Sequence, residues 1–271
     1  MLQKHRLVFI AYLVFVTCNF ASSNVCEAVE PLRQAHAHND YWHDRPLHDA
    51  LDNGFCSVES DIFLWNGALL VGHDPIELKP DRTLQHLYLD PLKERIEKNG
   101  GKVFKDGPQF TLMVDVKTEA ESTYEKLEEV LKDYRELLCR IESGKYVEGP
   151  IQVIVSGNRT IETMRKANDR LSFVDGRLEH FEETTFASTL MPLISERWSK
   201  CFRWNGEGEF PTQEKMRLQA LVNAAHANGQ RVRFWATSEN EAVWKALLEA
   251  GVDHINTDEL KRLAEFLKTS S

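Results

Sequence analysis

Apolar and polar positions along the chain switch repeatedly between two periods. Short runs rich in β-branched and aromatic residues occur at 32–38, 55–64, 68–72, 110–117, 151–156, 171–175, 189–195, 231–237 and 254–256, and each is bounded by turn residues. Such runs read as strands. Between them lie segments with apolar positions three and four apart, predicting helices near 46–52, 84–98, 160–168, 212–228 and 259–268. Thr118 and Glu121 form a capping box ahead of Tyr124, Leu127, Leu131, Tyr134 and Leu138 on one helical face, and Ser238 and Glu241 form a second box before a helix ending at Gly251. Asn66-Gly67 predicts a hairpin return, and the segment from Trp198 to Pro211 reads as a long loop over one end of the domain.

Strands alternating with helices predict parallel pairing. About eight such units fit a single-domain α/β protein with a closed (β/α)8 TIM barrel over 31–268. An open doubly wound sheet has less support, because no G-x-G-x-x-G follows any strand.

The N-terminus carries a different pattern. Lys4 and Arg6 precede an apolar run at 7–18, and Ala21 and Ser23 stand at the minus-three and minus-one places of a cut. Residues 1–23 therefore read as a signal peptide, which implies a secreted or periplasmic protein; an uncleaved anchor is the other reading. Without them the net charge moves from −9 to −11, which argues against nucleic acid as a partner. Cys26, Cys56, Cys139 and Cys201 would remain, enough for two disulfides; Cys56 reads as buried strand packing. Asn158-Arg159-Thr160 is a glycosylation sequon, relevant only in a cell that glycosylates exported proteins.

Chemistry-bearing residues gather at predicted strand ends, where a closed barrel places its site. His36 and His38 close the first strand and Glu59 and Asp61 lie in the second. His73 follows the hairpin return, Asp115 and Lys117 end the next barrel strand, and Trp235 lies late in another. Glu59 and Asp61, two apart on a strand, point to one side and can share a hard cation, calcium or magnesium, with Asp115 as a third ligand. Histidines beside such a cation suggest acid/base chemistry on an anionic substrate. Lys117 reads as a phosphate contact and Trp235 as an apolar wall.

The motifs A-H-N-D-Y at 37–41, V-E-S-D at 58–61, G-H-D-P at 72–75, D-V-K at 115–117, W-A-T at 235–237 and G-V-D-x-I-x-T-D at 251–258 resemble the phospholipase-C-like phosphodiesterases, above all the glycerophosphodiester phosphodiesterases. The resemblance spans about Gln34 to Asp258. It implies a (β/α)8 barrel, a divalent cation on Glu59, Asp61 and Asp115, and His73 as one of two catalytic histidines. The other is His38, with Asn39 close to the metal, or His36 if the first strand ends earlier. Glycerophosphodiesterases usually carry H-R-G at the first strand with P-E-N-T beyond it, and a glutamate where Asp115 stands. These departures bear on the head group rather than on the reaction. The implied activity is phosphoric diester hydrolysis of a small-molecule or lipid substrate, with transient contact at a membrane surface. The alternatives are a phospholipase C- or sphingomyelinase D-like enzyme with 198–211 as a lipid-facing loop, and an inactive barrel that only binds.

Overall fold

The computed structural model describes residues 29–181 and 187–270, so the signal-peptide expectation and Cys26 lie outside the described residues. In chain order the strands are β1 (Leu32–Ala37), β2 (Phe55–Trp65), β3 (Ala68–Val71), β4 (Phe110–Val116), β5 (Arg140–Glu142), β6 (Lys145–Val147), β7 (Ile151–Gly157), β8 (Phe173–Gly176), β9 (Leu193–Arg197), β10 (Arg231–Trp235) and β11 (His254–Thr257). Around the barrel the order is β1, β2, β4, β7, β8, β9, β10, β11, and β11 pairs back onto β1. These eight strands are all parallel, as the alternation of periods predicts. Closure leaves the barrel without the unpaired edge of an open sheet.

The helices are α1 (His48–Asp52), α2 (Asp90–Lys98), α3 (Ala120–Leu131), α4 (Ile161–Lys166), α5 (Trp198–Cys201), α6 (Thr212–Ala227), α7 (Glu241–Ala250) and α8 (Leu260–Ser270). The main core lies between strands and helices, where Val58, Leu112, Val114, Val153 and Val155 meet Leu127, Leu131, Trp244 and Leu247. The alternate positions Met113, Ile154, Phe173 and Leu193 form a separate cluster with Cys139 and Ile141, the signature of a filled barrel interior.

Local chemistry explains the turns. Asn66 and Gly67 have φ of 49° and 80°, as a two-residue hairpin between β2 and β3 requires. Gly54 has φ of +86°, and a Cβ there would lie 2.3 Å from the carbonyl oxygen of Glu30, so only glycine fits between α1 and β2.

Several sequence expectations shift. Both capping boxes give way to later caps: the Glu119 carboxylate accepts from the amides of Glu121 and Ser122, and Asn240 Oδ1 accepts from Val243 N at 2.9 Å. The helix expected at 84–98 begins as a wide turn, Gln85–Leu89, before α2. The β5–β6 hairpin had no alternation to mark it. Around 198–211 the aromatics turn inward: Trp198 and Phe202 are buried against Phe234, and Trp204 stacks on Phe210 with centroids 4.3 Å apart. Cys56, Cys139 and Cys201 are each buried and free, so none of them bridges another.

The first loop is fixed by Asp40, which is fully buried and accepts hydrogen bonds at Oδ2 from Leu47 N (2.5 Å) and Tyr88 Oη (2.9 Å), while Oδ1 has no partner among the described residues. Burial pushes its carboxyl up from 3.8 to about 7, against the pull of those two donors. A carboxyl raised in the folded state favours folding while it stays protonated and loses that contribution as pH rises. The stability of Asp40→Asn relative to the parent should therefore increase from about pH 4 to about pH 7 and then level off, as read by urea unfolding at several pH values. A pH-independent difference would contradict this account.

Candidate active site

The two-residue period of a strand sets the depth of each inward-facing side chain. Arg233 from β10 lies deep in the barrel, where it donates to Asn256 Oδ1 at 2.8 Å and forms an ion pair with Glu59 from β2. His36, fully buried, sits in the same layer. Its Nδ1 lies 2.6 Å from Ser57 Oγ and its Nε2 lies 3.3 Å from Glu59 Oε2. These distances suit a neutral ring donating through Nε2 to Glu59. Burial, then the Arg233 charge, pushes the imidazole down to about 4. Burial alone would raise Glu59, but Arg233 and His36 outweigh it and hold the carboxylate ionised well below its usual range.

One layer higher is the mouth. Asp61 is level with Asp115 across the β2–β4 pairing, and ligand oxygens of Glu59, Asp61 and Asp115 all lie within 4.8 Å of one another. Lys117 Nζ bridges Asp61 Oδ2 (2.9 Å) and Asp115 Oδ1 (3.0 Å). Burial and then the Glu59 charge raise both carboxyls, Asp115 to about 6, against Lys117. Asp61 Oδ1 is buried without a partner among the described residues. An orphaned carboxylate oxygen within an all-oxygen donor set fits a hard divalent cation, which would relieve the crowding of like charges. Gly157 makes room for this cluster: a Cβ there would lie 2.4 Å from Asp115 Oδ1.

The two first-strand histidines separate by depth. His38 reaches the mouth, where its Nδ1 lies 2.8 Å from Asp258 Oδ1 and its Nε2 has no hydrogen bond among the described residues. Burial pulls its imidazole down, but Asp258 and Glu59 outweigh burial and leave it raised. His73 Nδ1 lies 3.1 Å from Asp61 Oδ2 and 3.2 Å from Tyr41 Oη, and its ring packs against Trp42. Tyr41 Oη also meets Asp61 Oδ2 and Asn39 Oδ1, each at 2.8 Å, so Asn39 stands one hydroxyl away from the carboxylates. Trp235 is half-buried at the end of β10 with the Arg197 guanidinium 5.5 Å over its ring. The structure thus brings His38, His73, Glu59, Asp61, Asp115, Lys117 and Asn39 into one neighbourhood and seals His36 beneath it.

Sequence reasoning gave no role to Arg233, Tyr41 or Asp258. Tyr41 and Asp258 lie inside the A-H-N-D-Y and G-V-D-x-I-x-T-D motifs, and Arg233 stands two residues before Trp235, on the side of the strand opposite Val232 and Phe234. A charge on the inner face of a barrel strand needs a buried partner, which was the available signal.

Comparison with known proteins identifies the family. The sequence profile described as "AIM6-like phosphodiesterase domain" matches residues 23–175, and that of the "Glycerophosphoryl diester phosphodiesterase family" matches residues 231–261. The chain is 31% identical over 269 residues to "Altered inheritance of mitochondria protein 6 homolog" of Arthroderma benhamiae, covering 88% of this chain and 84% of that protein. It is 27% identical over 281 residues to "Altered inheritance of mitochondria protein 6" of Eremothecium gossypii, covering 91% and 72%. A solved glycerophosphodiester phosphodiesterase from Parabacteroides distasonis superposes with a TM-score of 0.53 at 14% identity, covering 89% of this chain and 99% of that one. That likeness speaks for the barrel fold. With more than half of its length matched by one profile, the chain belongs to the family of AIM6-like phosphodiesterase domains.

Proposed function

We propose that the protein is a metal-dependent phosphoric diester hydrolase acting on glycerophosphodiesters or a related phosphodiester. The observation that carries this reading is the convergence of three carboxylates, one lysine and two histidines at one mouth of the barrel. Glu59, Asp61 and Asp115 would hold calcium or magnesium, with Asn39 alongside. A cation bound there supplies positive charge against the phosphate oxygens as negative charge builds on them.

The remaining work falls to the side chains. Asp258 holds His38 through Nδ1 and leaves Nε2 as its free nitrogen; Asp61 and Tyr41 do the same for His73. One of these histidines removes a proton from the attacking hydroxyl, on water or on the substrate's own neighbouring alcohol. The other protonates the leaving oxygen. Lys117 adds a second positive contact to the phosphate, and Trp235 walls the alcohol. His36, sealed and held neutral, supports Glu59 and takes no part in proton transfer.

His73→Ala should lower release of alcohol from glycerophosphodiesters by about 10²- to 10⁴-fold with the circular dichroism spectrum unchanged. Full activity in this variant would end the hydrolase reading. Gly157→Ala should weaken calcium or magnesium binding in calorimetry by pushing on Asp115, whereas Ala at the exposed Asn158 should not. Because the Asp115 carboxyl is raised to about 6, protons compete with the cation below that pH. Divalent affinity should fall as pH drops from about 7 to about 5, and Asp115→Asn should flatten that dependence while binding more weakly throughout.

A further inference from the structure

Lys117 belongs to two neighbourhoods. Its Nζ touches Asp61 and Asp115, and its side chain also lines an open groove with Thr118, Glu119, Gly157, Asn158 and Arg159. The groove therefore runs from the edge of the carboxylate cluster to Arg159, which follows the C-terminal end of β7.

Arg159 is underused where it stands. A guanidinium offers five N–H donors, yet among the described residues it makes one hydrogen bond, from Nη1 to the carbonyl oxygen of Asp175. Its Nε is buried with no acceptor. The carboxylate nearby engages another arginine through one oxygen: Arg177 Nη1 lies 2.7 Å from Asp175 Oδ2 and Ser156 Oγ donates to the same oxygen at 2.8 Å, while Oδ1 has no partner among the described residues. No carboxylate pairs with Arg159 among the described residues. Glu119, the acid that lines the groove, is turned back onto the amides that begin α3.

The loop that presents Arg159 is held on both sides. Asn158 Nδ2 donates to the Thr118 carbonyl oxygen at 2.8 Å, and Asn158 N donates to the Val116 carbonyl oxygen at 2.9 Å. Thr160 and Thr163 donate their hydroxyls to Glu121 Oε1, which ties the start of α4 to α3. The Nε lies too deep to serve the groove, but Nη2 makes no hydrogen bond among the described residues, and a groove-lining guanidinium on a braced loop with donors to spare suits an oxyanion. Burial and then the charge of Arg177 pull the guanidinium's pKa down, and a bound anion would oppose both.

We propose that the groove between Lys117 and Arg159 is an anion subsite, in which Arg159 holds a second oxyanion, a carboxylate or a phosphate monoester, borne on one alcohol arm of the phosphodiester substrate. The substrate part of this proposal rests on the hydrolase reading above; the anion binding itself does not. Lys117 stands at the junction between the reacting phosphate and that arm. The subsite favours diesters with an acidic arm over those with a neutral one.

The test is calorimetric titration with 2-phosphoglycolate, which carries a phosphate and a carboxylate, and with methyl phosphate, which carries the phosphate alone, with magnesium present. The intact protein should bind 2-phosphoglycolate more tightly. Arg159→Gln should weaken that binding about tenfold and change methyl phosphate binding by less than about twofold. Arg159→Lys, which keeps the charge, should retain part of the preference and controls for loss of fold. Pyrophosphate in place of 2-phosphoglycolate distinguishes a phosphate-bearing arm from a carboxylate-bearing one. Equal weakening of both probes, no weakening of either, or an intact protein that binds the two alike would overturn the proposal. In turnover assays, the preference for a carboxylate-armed over an ethyl-armed glycerophosphodiester should fall about tenfold in Arg159→Gln, through KM rather than kcat. If the intact protein cleaves no diester, the hydrolase reading fails and the titration still decides the subsite.

Discussion

The buried ion pair between Arg233 and Glu59 is the interaction on which the site depends. The two residues are 174 positions apart and lie in strands on different parts of the barrel, yet their side chains meet inside it with almost no exposure. A carboxylate alone in that layer would take up a proton rather than stay charged. Paired with Arg233 and hydrogen-bonded by His36, Glu59 remains an anion. Removing one partner of such a pair leaves an uncompensated charge, at a cost of about 3–5 kcal/mol. The arrangement persists because Asn256 also engages the guanidinium.

The mouth inherits its electrostatics from that pair. Glu59 is the charge that, after burial, raises Asp61 and Asp115 most. Lys117 answers part of it from the edge, so three carboxylates face two cationic side chains. The remaining negative charge, with the orphaned Asp61 Oδ1, suits a divalent ion held by oxygens. Around this cluster each histidine has one nitrogen tied to a carboxylate, which fixes the ring while the other nitrogen stays available. At the ends of β7 and β8 the balance reverses, because the Asp175 carboxylate pairs with Arg177 while Arg159 reaches only the backbone carbonyl oxygen of Asp175. Acidic and basic walls meeting at Lys117 suit a substrate with negative charge at more than one point.

Much of the fold was legible because local rules and tertiary structure agree there. Asn66-Gly67 announced a hairpin since few other pairs adopt positive φ at both turn positions. The strands β4 and β7 are mostly apolar because both faces are buried, as parallel sheets require. Capping was read less well. Thr118 matches the cap pattern, but its hydroxyl accepts from Leu64 N at 2.9 Å, a residue 54 positions away, so the cap passes to Glu119. The loop at 198–211 looked exposed in sequence because no period organises it; its rings pack on Phe234, which only the folded barrel brings near.

By itself the sequence determined the alternation of strand and helix, the strand ends on which acids, histidines and a lysine cluster, and the side of each strand they face. It did not determine depth. His36 and His38 share a face, as do Glu59 and Asp61, and two residues along a strand differ by about 6.6 Å along the barrel wall. Whether a side chain lies sealed in the interior or open at the mouth follows from the stagger between neighbouring strands at closure, which pairs His36 with Ser57 and Asn256 and Asp61 with Asp115. That register is set by packing around the whole barrel. It was therefore the tertiary structure that sealed His36, brought His38 to Asp258, and joined Arg233 to Glu59.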